Sequence, residues 1–73
     1  MEAVVHIGDN LRRLRVLRAL KQDELAQMAR VSPSTVSLIE RDLTEPHVTT
    51  IRKLAEALEV DPAELVRGES NHA

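Results

Sequence analysis

The side chains of this 73-residue chain that could do chemistry at a surface are concentrated in residues 22–41. That stretch reads Gln-Asp-Glu-Leu-Ala-Gln-Met-Ala-Arg-Val-Ser-Pro-Ser-Thr-Val-Ser-Leu-Ile-Glu-Arg. Val36 and Ile39 are three residues apart, which places them on one side of a helix. Ser34, Thr35, Ser37, Leu38 and Arg41 are left for its outer face or its ends. These residues are small and mostly polar. Such a face can enter a DNA major groove closely, with hydroxyls bonding base edges and Leu38 against a thymine methyl group. The same residues also suit a solvated helix face, the commoner fate of Ser and Thr.

Other chemistries find little support. The chain has no Cys, so it offers no disulfide, thiolate nucleophile or Cys-based zinc site. His6, His47 and His72 are too scattered for convergent metal ligands. There is no Gly-rich phosphate loop and no discernible Ser/His/Asp arrangement, so we expect neither an enzyme nor a cofactor. Without Phe, Tyr or Trp the chain has no platform for stacking single-stranded bases, and its core must be aliphatic. No apolar run suits a membrane span, and the N-terminus does not read as a signal peptide, so a cytoplasmic protein is expected. No small-molecule effector pocket is evident.

Net charge is −2, from 10 basic and 12 acidic residues, which alone argues mildly against a polyanion partner. The distribution is more informative. Residues 1–41 carry seven bases and five acids, a net +2, and residues 42–73 carry three and seven, a net −4. A chain polarised in this way can present a basic face while being acidic overall.

The elements that must position these residues are all helical, and the length suits one domain over residues 1–73, with a core at about 7–66 and frayed ends. The spacing predicts a first helix over residues 7–20, with Ile7, Leu11 and Leu14 on one face and Val16, Leu17 and Leu20 as a second stripe. A second helix follows over 22–29, with Leu25, Ala26 and Ala29 inward and Asp23 and Glu24 in its first turn, where the helix dipole favours acids. Ser32 as N-cap and Pro33 at the first position start a third helix. Residues 42–46 read as a loop, and 48–59 as a fourth helix with Ile51, Leu54, Ala55 and Leu58 inward. Asp61-Pro62-Ala63-Glu64 announces a short fifth helix that Gly68 should end. None is long enough to be stable alone, so they must pack as one cluster.

At this point the chain resembles the phage-repressor-like helix-turn-helix family, the Cro and xenobiotic-response-element class of bacterial regulators. The resemblance covers about residues 7–65. It rests on Leu14-Arg15, Gln22-Asp23-Glu24-Leu25-Ala26, Val31-Ser32-Pro33-Ser34-Thr35-Val36-Ser37, Ile39-Glu40-Arg41, Pro46 and Leu54-Ala55-Glu56-Ala57-Leu58-Glu59-Val60. It implies an all-α, five-helix, lambda-repressor-like domain with the helix-turn-helix at helices 2 and 3. The third helix would read bases, with Pro33, Ser34, Thr35 and Leu38 at DNA-facing positions. Gln22 would meet phosphate, as a helix N-terminus favours. Arg15 and Glu40 match a pair that often forms a buried salt bridge. Double-stranded DNA bound by a homodimer, with its contact near helices 4 and 5, is the implied mode of action.

Several positions depart from the family pattern. Lys21 stands where Ser or Thr usually caps helix 2, yet could reach the DNA backbone. Arg30 and Asp42 replace common glycines, and a left-handed backbone at Arg30 would cost about 1–2 kcal/mol. Thr44 and Glu45 lie in the loop expected to approach phosphate, Thr44 as a contact and Glu45 as a repulsive charge. Val16, Leu17, Leu65 and Val66 are candidates for an exposed apolar patch. The main expectation is therefore a repressor on a palindromic operator. The rivals are a restriction–modification controller or antitoxin-type regulator, and a protein-interaction module that has lost DNA binding.

Overall fold

The computed structural model describes residues 7–66. Five helices follow one another: α1 Gly8–Leu17, α2 Gln22–Ala29, α3 Pro33–Glu40, α4 Val48–Leu58 and α5 Pro62–Val66. Helix α2 packs on α3 and α4, α4 on α5, and α1 on α3 and α5. One aliphatic core joins them, built from Ile7, Leu11, Leu25, Ala26, Ala29, Val36, Ile39, Leu54, Ala55, Leu58 and Leu65. Ala26 is buried at the α2 crossing, where only a small side chain lets helices approach closely.

Two expectations need correction. Helix α1 stops at Leu17 rather than at residue 20, and Leu20 turns back onto the core; Val16 and Leu17 are exposed, in keeping with their place among the patch candidates. Leu65 is fully buried and is no part of a surface patch, because α5 folds it under α1 and α4. Val66 beside it stays exposed. Gly68, expected to end α5, lies outside the described residues, as do His6 and His72.

One backbone device ends the first four helices. Ala19, Arg30, Asp42 and Glu59 each adopt a left-handed conformation, with φ of 57°, 62°, 55° and 60°. The next N–H in each case bonds back five residues, as in Leu20 to the Arg15 carbonyl at 3.1 Å and Val31 to the Ala26 carbonyl at 3.0 Å. Leu43 does the same to Leu38, and Val60 to Ala55, each at 2.9 Å. These are Schellman turns. The residue after each left-handed position is apolar, and Leu20, Val31 and Val60 press against the core. That apolar anchor offsets the strain of a side chain where glycine would be relaxed. Ala19 has only a methyl group to lose, so Ala19→Gly should raise the unfolding free energy by about 1 kcal/mol. Thermal melts of the two proteins check it; a lower midpoint in the glycine variant would show that unfolded-chain entropy outweighs the relieved strain.

Gly8 is needed for a close approach. The start of α1 sits against the end of α3, and a Cβ on Gly8 would lie 2.7 Å from both the Ile39 and Glu40 carbonyl oxygens. The positive end of one helix dipole thus meets the last carbonyls of another. Ile7 offers no capping side chain, and the Asp42 carboxylate instead accepts the Gly8 N–H at 3.2 Å. Asp42 therefore replaces a turn glycine but gains a cap for α1. Gly8→Ala should destabilise the fold by about 1–3 kcal/mol, the usual cost of overpacking against backbone. Urea unfolding reads this directly, and an unchanged midpoint would refute the close packing.

Asn10 carries no local sequence signal of its role. Its side chain is buried, donates to the Leu65 carbonyl at 2.9 Å and accepts from Arg13 at 3.1 Å. It ties α1 to the end of α5, using a carbonyl for which the last helical turn has no internal partner.

Candidate nucleic-acid interface

Helices α2 and α3 and the turn between them form the candidate surface. Ser32 caps α3: its hydroxyl oxygen accepts the Thr35 N–H at 3.1 Å and pairs with the Thr35 hydroxyl at 2.9 Å. Pro33 fills the first position, where no N–H is required. Val36 and Ile39 are buried beneath the helix. The face opposite carries Pro33, Ser34, Leu38 and Arg41, all exposed, with Thr35 and Ser37 half-buried at its margins. No acid lies in the first turn of α3, which leaves the positive end of its dipole uncompensated by local charge.

Lys21, exposed at the N-cap of α2, makes no capping bond with its side chain, since an ammonium group has no acceptor. Glu24 reaches back instead and accepts the Lys21 N–H at 2.8 Å. Thr44 and Glu45 are exposed in the loop after the α3 turn. His47 occupies the N-cap of α4 without a side-chain bond. Arg18 faces Glu59 at 3.4 Å while remaining exposed.

Three candidate residues are brought together. The Arg15 Nε and Nη2 donate to the two oxygens of Glu40 at 2.6 and 3.0 Å, and Nη1 donates to the Leu20 carbonyl at 2.8 Å. The Gln22 amide donates to the same carboxylate at 3.0 Å. The Glu40 side chain is only 4% exposed and that of Arg15 13%. The hydrogen bonds to Glu40 raise the Arg15 pKa above its ordinary value, against the opposing effect of burial. The network links the end of α1, the start of α2 and the end of α3. The bond from Gln22 was not visible in the sequence, because Gln22 and Glu40 are 18 residues apart.

Among the described residues, no group of three His, Cys, Asp or Glu could hold a metal, and no helix is long and apolar enough to cross a membrane.

The helix-turn-helix family model HTH_3 matches residues 11–65. The chain belongs to the helix-turn-helix family. A relative from Sinorhizobium fredii, described as an uncharacterized HTH-type transcriptional regulator, is 38% identical over 60 residues, covering 82% of this chain and 78% of that one. The restriction–modification controller protein C.AhdI from Aeromonas hydrophila has a similar structure, with a TM-score of 0.81 and 37% identity over 85% of this chain and 94% of its own. The c2 repressor of P22, solved in complex with a synthetic operator, gives a TM-score of 0.80 and 32% identity over 86% and 96% of the two chains. The fold is thus the five-helix lambda/Cro-repressor-like fold, and the helix-turn-helix is α2–α3. The protein is a DNA-binding transcriptional regulator by family, of a type that is not enzymatic.

Proposed function

We propose that this helix-turn-helix protein is a cytoplasmic repressor that binds a palindromic operator as a homodimer. The observation that carries this reading is the outer face of α3, small and free of acid at its N-terminal turn, above a buried Val36–Ile39 anchor. In it, Ser34, Thr35, Ser37 and Leu38, beside Pro33, meet base edges. Lys21, Gln22, Arg41 and Thr44 hold phosphates and set the register. The likeness to a repressor solved with an operator supports this assignment. The dimer contact lies near α4 and α5, where Val66 is exposed. With no effector pocket assigned, occupancy follows protein concentration or a partner. The likeness to C.AhdI favours a second reading, a restriction–modification controller. That reading uses the same DNA face and differs in the genes controlled.

The test is selection of bound duplexes from a random library at near-physiological salt. Enrichment of a palindrome with half-sites about one helical turn apart supports the proposal. The affinity should then fall with salt, with a log–log slope of about −0.9 per neutralised phosphate. No enrichment would favour a protein-interaction module instead, a reading to which the exposed Glu45 lends support. Thr35→Ala should shift the selected sequence while leaving the melting temperature nearly unchanged, since it removes one exposed hydroxyl pair. Unfolding of that variant would show that Thr35 serves the fold.

A further inference from the structure

We propose that Glu40 is a positioning residue for DNA contact: its carboxylate, neutralised by Arg15, holds the Gln22 amide ready for a phosphate. The inference rests on the DNA-binding reading above and assigns a device within that site.

An ion pair with Arg15 would satisfy the charge of Glu40. The carboxylate nevertheless receives a third donor, and that donor comes from the first residue of α2. Oε1 of Glu40 is shared between Arg15 Nη2 and Gln22 Nε2, each at 3.0 Å, while Oε2 takes Arg15 Nε at 2.6 Å. The orientation of the Gln22 amide follows from this. Turning its oxygen toward Glu40 would set two acceptors against each other, so the nitrogen must face the carboxylate. An amide nitrogen carries two hydrogens, and this bond uses one. The second is left for a partner at the α2 N-terminus, alongside the backbone N–H groups that a helix start presents to an anion.

Two costs of phosphate contact are thereby reduced. A glutamine free at a surface loses rotamer freedom when it binds, whereas this one is already immobilised. A bare carboxylate so near would repel phosphate, but Arg15 cancels its charge, and Arg15 is itself anchored on the Leu20 carbonyl. Helix α1 thus contributes to DNA contact through Arg15, which steadies the carboxylate that holds Gln22.

A double-mutant cycle on affinity for the selected duplex tests the proposal. Glu40→Asp keeps the charge facing Arg15 but draws the carboxylate back from Gln22, and Glu40→Gln keeps the length but removes the charge. In the wild-type background each folded variant should weaken binding by about tenfold, the scale of one charge-assisted hydrogen bond. In a Gln22→Ala background the same changes should cost less than about twofold, because the residue they act through is gone. Equal losses in the two backgrounds, or no loss in either, would show that Glu40 only braces the fold. A wild-type protein that binds no duplex at all overturns the DNA reading and this inference with it. Additive losses on a duplex that does bind overturn this inference alone. One measurement needs no Glu40 variant. In the free wild-type protein, side-chain 15N relaxation should find the Gln22 amide nearly as rigid as the backbone, while that of the exposed Gln27 moves freely. Equal mobility of the two would overturn the proposal.

Discussion

Arg15→Met is expected to lower the unfolding free energy by about 3–5 kcal/mol, the cost of leaving one member of a buried ion pair without its partner. The residue supplies three of the bonds that join α1 to the rest of the fold, two to Glu40 and one to the Leu20 carbonyl. In the variant, Glu40 stays 18 residues from its remaining donor in sequence and nearly enclosed, with Gln22 alone to solvate it. At about 0.05–0.15 kcal/mol per residue, a domain of this size has about 4–11 kcal/mol in total. The variant should therefore lose a large share of that stability, and urea titration followed by circular dichroism would show it as a lowered midpoint. Removing both charges in Arg15→Met/Glu40→Leu should recover most of the loss. The Leu20 carbonyl and the Gln22 amide still lose partners, so recovery should be incomplete. A loss below about 1 kcal/mol in the single variant would mean that the pair behaves like an exposed one. The pH dependence has a definite sign. The Arg15 pKa is raised, so its contribution is fully present below the ordinary arginine value and is lost only as pH climbs through the raised one.

Much of this architecture is legible in the chain, and particular residues show why. Ser32-Pro33 marks the start of α3, because a cap hydroxyl and a residue lacking an N–H are local chemistry. Leu25, Ala26 and Ala29 reveal the inner face of α2 through helical spacing. The end of α1 is misread because the apolar residues continue to Leu20, and periodicity alone extends the helix. Looking for glycine at the helix ends also misses the signal that is present. A left-handed residue followed by an apolar one occurs as Ala19-Leu20, Arg30-Val31, Asp42-Leu43 and Glu59-Val60. Leu20, Val31 and Val60 anchor their turns on the core, so the strain before them need not be relieved by glycine; Leu43 is exposed, and Asp42 instead caps α1. The contacts of Asn10 with Leu65, Gly8 with Asp42 and Gln22 with Glu40 join positions far apart in sequence. No local pattern announces them, because each depends on how the helices dock.

Ser34→Glu should separate binding from folding more sharply than any other single change in α3. Ser34 is exposed at the second position of the helix, and the first turn has no acid. A carboxylate there meets the positive end of the dipole, which is worth about 0.3–1 kcal/mol of added stability. The same carboxylate on the proposed DNA face must give up water and lie among phosphates. Like charges set together at an interface cost several kcal/mol, so affinity should fall by at least about 100-fold. The loss should be largest at low salt, where the repulsion is least screened. Anisotropy of a labelled duplex and a thermal melt of the same preparation read the two effects, which should have opposite signs. A folded variant that binds as tightly as the parent would remove the N-terminal turn of α3 from the groove. Lys21, Gln22 and Arg41 could then still hold phosphates, but nothing in α3 would be reading sequence, and the binding that remained would be salt-dependent and indifferent to the operator.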